Sequence, residues 1–132
     1  MIVLDASVAV DLILDTTPFS TAISTHVLEF DGDLHAPYLI DAEVGHALRR
    51  HILRGALSLE RAEQAVTDLR DLPINRYSHL RFVTRALRMG ASLSLYRPLY
   101  VALAESLSTP LLTRDGRLAR AAGELVDVVH VS

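Results

Sequence analysis

The stretch that decides the fold is Met1-Ile2-Val3-Leu4-Asp5-Ala6-Ser7-Val8-Ala9-Val10-Asp11-Leu12-Ile13-Leu14. A short run of β-branched and apolar residues, Ile2–Leu4, reads as a buried strand. It ends on a carboxylate, Asp5, and an apolar, small-residue stretch follows directly, which predicts a helix over Ser7–Leu14. A buried strand that delivers an acid to the start of a helix is the opening of an α/β unit. In such folds ligands bind outside the C-terminal ends of parallel strands.

The rest of the chain repeats the alternation. Pro18 starts a second helix through Phe30, Asp31-Gly32-Asp33 is a turn, and Leu34–Ala36 is a strand ending at Pro37. Residues 39–54 form the clearest helix, with Ile40, Val44, Ala47 and Leu48 on one stripe, closed by Gly55. Ser58 opens a helix that stops before Pro73, and residues 74–77 read as a strand. A helix follows over 79–89 and halts at Gly90. Pro98 lies in the first turn of a helix through Leu107, where proline is tolerated. Leu111–Thr113 is a strand, Asp115 caps a helix over 116–122, Gly123 ends it, and Val126–Val131 is the last strand. The expected architecture is therefore a single α/β domain over 1–132, a mostly parallel sheet with helices on both faces.

At 132 residues, half of them hydrophobic, the chain is long enough to bury a core of its own. The absence of cysteine excludes a disulfide framework and thiolate metal sites and fits a cytoplasmic protein. No apolar run approaches a membrane span, and no signal peptide is expected. The net charge of −3 hides an asymmetry. Residues 1–48 carry eight acids and no Lys or Arg, whereas residues 49–132 carry eight acids and all thirteen basic residues, every one an arginine. Arginine forks grip phosphate through two hydrogen bonds, so a phosphate-bearing partner is permitted.

Three acids stand out together. Asp5 and Asp115 each follow a strand, and Glu43 lies one turn into the clearest helix. Singly, Asp5 and Asp115 read as helix caps and Glu43 as a surface residue. If the two strands are neighbours, however, the acids meet at one sheet edge. Oxygen-only donors suit Mg²⁺ or Mn²⁺, which polarises a phosphodiester and activates water for attack. Glu43, His46, Arg50 and Arg54 follow helical steps of three and four, a stripe able to lead RNA phosphates away from the acids; Arg114 is a further candidate for phosphate. Other acid-using folds fit less well. A receiver domain needs a lysine, an aspartate-nucleophile phosphatase needs an acid where Ser7 stands, no Gly-x-Ser-x-Gly elbow occurs, and the histidines lack zinc-ligand spacing.

In IVLDASVAVDLIL, YLIDAEVGHALRRHILRG and LYVALAESLSTPLLTRDGRLARAAG the chain resembles a PIN domain of the VapC type, the toxin ribonuclease of bacterial type II toxin–antitoxin pairs. The resemblance covers essentially the whole chain. It implies a PIN-like fold, Mg²⁺-dependent endoribonuclease activity, a homodimer, and neutralisation by a VapB-like antitoxin. By position, Asp5, Glu43 and Asp115 correspond to the family's active-site and metal-binding acids.

One position departs. Where the family usually reads Tyr-Asp-Ala-Leu-Tyr, this chain reads Tyr96-Arg97-Pro98-Leu99-Tyr100, so Arg97 stands in place of a metal-binding aspartate. Glu105 is no substitute, since eight residues along a helix is about 12 Å of rise. Exchanging −1 for +1 about 6 Å from a divalent ion costs roughly 3 kcal/mol at water-like screening and about 11 kcal/mol at an effective dielectric of 20. The expectation is an Arg97 guanidinium paired with Asp5 or Asp115. With it comes the alternative of a catalytically impaired PIN domain that binds RNA or antitoxin without efficient cleavage.

Overall fold

In a computed structural model, which describes residues 1–90 and 94–132, five strands form one sheet: β1 (Ile2–Leu4), β2 (Leu34–Pro37), β3 (Ile74–Tyr77), β4 (Leu111–Thr113) and β5 (Val128–His130). The order across the sheet is β3-β2-β1-β4-β5, and every pairing is parallel. Every residue of β1, β2 and β4 is buried. Because successive side chains of a strand point to opposite faces, uniform burial means that both faces of the central sheet are covered.

Among the described residues the cover consists of seven helices: α1 (Ala6–Leu14), α2 (Phe19–Glu29), α3 (Leu39–Leu53), α4 (Leu59–Asp71), α5 (Leu80–Leu87), α6 (Tyr96–Leu107) and α7 (Gly116–Ala122). Helix α1 packs against α2, α3 and α4, whereas α5 packs against α6, which crosses β1 and β2. The run Leu99–Ala104 of α6 is buried at every position, so this middle stretch of the helix belongs to the core. No helix among the described residues is long and apolar enough to cross a membrane.

The chain leaves β1 for β2 on one side and returns to β4 on the other. The β1–β4 seam is therefore the switch point of the sheet, and its register pairs Val3 with Leu111 and Leu4 with Leu112. That register places the residues just after both strands side by side. The expected elements are all present, with shifted ends. Helix α1 begins at Ala6 directly after its cap, α5 is shorter than 79–89, and the last strand is only Val128–His130 because residues 123–125 extend the turn after α7.

Candidate active site

Asp5 ends β1 and is also the N-cap of α1, accepting from the Val8 amide at 3.2 Å. It is 5 % exposed, so its charge has to be met inside the protein. Ser7 Oγ donates to Oδ1 and Thr113 Oγ1 donates to Oδ2. Burial pushes the Asp5 carboxyl above the usual aspartate value, against the pull of these donors, and the charge of Asp115 adds to the rise. The same hydroxyls fasten the loop after β4. Ser7 Oγ accepts from the Arg114 amide at 3.0 Å, and Thr113 Oγ1 accepts from the Asp115 amide at 2.9 Å.

Asp115 caps α7 through Oδ1, which accepts from the Arg117 and Leu118 amides at 3.0 and 3.2 Å. Its other oxygen, Oδ2, accepts from Arg97 Nε at 2.7 Å. Partial burial raises the Asp115 carboxyl, but Arg97 and the two amides outweigh it and hold it below the usual range. Arg97 is the second residue of α6, where the helix dipole disfavours a cation. The carboxylate of Asp115 offsets that.

Glu43 is set by three contacts to its helix. The Leu39 amide at the start of α3 donates to His79 Nε2 at 2.7 Å, and Arg76 grips Asp41 with Nε and Nη2 at 2.7 and 2.8 Å. Tyr100 Oη then donates to Glu43 Oε1 at 2.5 Å. Burial, reinforced by the charges of Glu43 and Asp5, pushes the Tyr100 phenol far above its ordinary value, which keeps the proton on the tyrosine as donor.

Asp5, Glu43 and Asp115 line one cleft of about 930 Å³, together with His46, Arg50, Arg97, Tyr100 and Arg114. Of the residues picked out as phosphate contacts, Arg50 is exposed at this cleft, whereas Arg54 is not among its lining residues. Arg114 lines the cleft with its guanidinium engaged: Nη1 donates to Asp11 at 2.8 Å, and the group lies 3.4 Å from the centre of the Phe19 ring. Ser7, Tyr100 and Thr113 are the residues of the site that periodicity and spacing missed. Ser7 and Thr113 are signalled in sequence only by standing two positions from Asp5 and Asp115, and Tyr100, far along the chain from all three acids, carries no such signal.

In kind the donors suit a hard divalent ion, all of them carboxylate oxygens. In arrangement Arg97 opposes one. Each of the three acids is already held by protein donors, a cation sits on Asp115, and among the described residues no group of three or more His, Cys, Asp or Glu side chains is placed to hold a metal ion.

The PIN domain family model matches residues 2–124. Ribonuclease VapC1 of Mycobacterium tuberculosis is 42% identical over 122 residues, which cover 92% of this chain and 90% of the relative. Ribonuclease VapC12 of the same organism is 38% identical over 132 residues, the full length of both chains. Among solved structures, PAE2754 from Pyrobaculum aerophilum superposes with a TM-score of 0.68 at 23% identity, covering 96% of this chain and 89% of that one. VapBC2 from Rickettsia felis, bound to a DNA fragment from its promoter, gives 0.62 at 12% identity with 98% of each chain covered. With a parallel sheet of this order, acids gathered at its switch point and VapC ribonucleases as relatives along its length, this chain belongs to the PIN domain family, in the VapC type.

Proposed function

We propose that this protein is the toxin of a type II toxin–antitoxin pair, an endoribonuclease that hydrolyses RNA phosphodiesters at the cleft of Asp5, Glu43 and Asp115. The observation that carries this reading is the convergence of those acids on the β1–β4 switch point in a chain 42% identical to a ribonuclease over most of its length. Asp5 is the centre of the site, braced by Ser7 and Thr113; Glu43 is aimed by Tyr100. Arg50 at the cleft, with Arg54 further along α3 and Arg114 beside the acids, supplies positive charge for the RNA backbone. The partners in this reading are RNA, a VapB-like antitoxin and a second copy of the chain, in the cytoplasm. Solved relatives that are themselves toxin–antitoxin complexes support the antitoxin.

Mg²⁺, or Mn²⁺ in its place, belongs to this reading through the family, and Arg97 opposes it. An ion at Asp115 has to displace a guanidinium held at 2.7 Å. That contact favours a second reading, in which the chain binds RNA or its antitoxin and cleaves poorly. The experiment is cleavage of a generic RNA by the purified chain in Mg²⁺, in Mn²⁺ and in EDTA, beside Asp5→Asn. Metal-dependent cleavage abolished by Asp5→Asn supports the first reading. RNA binding without cleavage in any of these conditions supports the second. Neither RNA binding nor cleavage overturns the first reading and the RNA-binding form of the second.

A further inference from the structure

Arg97 and its neighbour Tyr96 carry more than the loss of a metal ligand. Both line the cleft at the start of α6, and both are exposed, the Tyr96 residue by 55% and the Arg97 side chain by 45%. Asp115 engages Arg97 through Nε alone. An arginine has five N–H donors, so four remain on Nη1 and Nη2, and they form no other hydrogen bond or ion pair among the described residues. Fixed at Nε and open at its two outer nitrogens, the guanidinium is pre-set for an anion.

The other aromatic rings near the site are committed. Tyr100 is buried on Glu43, and Phe19 lies under Arg114. The Tyr96 ring makes no hydrogen bond, ring contact or cation contact among the described residues. Of the two exposed tyrosines, Tyr38 and Tyr96, only Tyr96 lines the cleft. An exposed aromatic beside an arginine with outer N–H groups to spare is the pairing that single-stranded nucleic acid uses, base on ring and phosphate on cation. The charges of the cleft agree. Arg97 is paired with Asp115 and Arg114 with Asp11, Asp5 and Glu43 accept from hydroxyl donors, and Arg50 lines the same cleft, so a phosphate at the outer nitrogens of Arg97 is opposed only by the two acids that no arginine pairs among the described residues.

We propose that Tyr96 and Arg97 form a nucleotide subsite that holds single-stranded RNA without a divalent ion, the Tyr96 ring stacking on a base and the outer guanidinium nitrogens of Arg97 binding the adjoining phosphate. The proposal rests on the reading of RNA as substrate and adds the residues that grip it. Arg97 then takes over, by direct contact with phosphate, part of the binding that an ion bridging to phosphate provides in metal-dependent sites.

The test is fluorescence anisotropy of short labelled oligouridine and oligoadenosine with the full chain in EDTA, over a salt series. Arg97→Ala should weaken binding roughly tenfold and reduce the slope of log K against log salt by about 0.7, the share of one phosphate on a single strand. Tyr96→Ala should weaken binding roughly tenfold with the slope unchanged, within the range that loss of one stacked base produces. Tyr96→Phe should bind within about twofold of wild type, because stacking needs the ring and not the hydroxyl. Tyr96→Trp introduces the only tryptophan of the chain, and its fluorescence should be quenched as either oligonucleotide binds. Arg97→Lys, which keeps the charge and loses the fork, should bind less tightly with the wild-type slope and serves if the alanine variant fails to fold.

Wild-type affinity in both alanine variants, unquenched indole fluorescence of Tyr96→Trp at saturating RNA, or no binding by wild type in EDTA overturns the subsite. Binding in EDTA that depends on residues 96 and 97, without cleavage in Mg²⁺ or Mn²⁺, leaves the subsite standing and removes the ribonuclease. Cleavage with binding indifferent to both residues does the reverse.

Discussion

Arg97 Nε donates to Asp115 Oδ2 at 2.7 Å, so a tethered cation from α6 rests on the acid that follows β4. Asp5, Glu43 and Asp115 repel one another across one cleft, and this contact relieves part of that repulsion from within the chain. It imitates the charge of a bound ion without its Lewis acidity.

Replacing the cation by an acid should reopen a metal site. Arg97→Asp changes the charge near a divalent ion by two units, worth roughly 3 kcal/mol at water-like screening and so about a hundredfold in affinity. Isothermal titration with Mn²⁺ should show binding at least that much tighter than in wild type, with faster RNA cleavage alongside. Equal Mn²⁺ affinity in the two proteins would mean that Arg97 yields its place without cost.

Thr113 is fully buried and serves both acids at once, donating to Asp5 and accepting from the Asp115 amide. Thr113→Val keeps the shape and deletes both bonds, which should cost about 1–3 kcal/mol in denaturant unfolding near neutral pH, where Asp5 loses a donor it cannot replace with water. Thr113→Ser should recover most of the loss. A valine variant as stable as wild type would show that Asp5 does not depend on this hydroxyl.

Positive charge along α3 should act in proportion to its place. Arg50 lines the cleft and Arg54, the C-cap residue, lies beyond it. Arg50→Ala should weaken RNA binding and reduce the salt slope by about 0.7, and Arg54→Ala should do less of both. Identical effects, or none at low salt, would take the helix out of the RNA path.

A pH test separates the frame from the site. Arg85 on α5 grips Glu105 on α6 with Nε and Nη2 at 2.7 and 2.8 Å. The hydrogen bonds from Arg85 hold the Glu105 carboxyl below the usual glutamate range, slightly opposed by burial. A carboxyl lowered by folding contributes stability that is present above its unfolded pKa and lost as pH falls through its folded one. The stability gap between wild type and Arg85→Gln should therefore be modest and steady at neutral pH and should close in acid, below the ordinary carboxylate range. Midpoints of denaturant unfolding in a pH series measure it. A gap that persists unchanged into acid would assign Arg85 a role other than this ion pair.

Much of this protein is written locally. Ile2–Leu4 and Leu111–Thr113 announce buried strands by β-branching and apolar runs, and Asp5, Ser58 and Asp115 announce helix starts. Those caps act over three or four residues, so no distant contact is needed to foresee them. The departure at Arg97 was equally legible, because a charge reversal at a motif position is visible as soon as the motif is.

What the tertiary structure decided is pairing across distance. Only the β1–β4 register brings Asp5 beside Thr113, 108 positions away. Tyr100 lies in the helix expected through Leu107, and the crossing of α6 over the sheet turns its hydroxyl onto Glu43, 57 positions away. Arg114 reads from sequence as a candidate for phosphate, and only the packing of α1 and α2 supplies Asp11 and Phe19 as its partners within the chain. A side chain's type limits what it can bind, but which partner reaches it first is settled by elements that meet only when the sheet and its helices have packed.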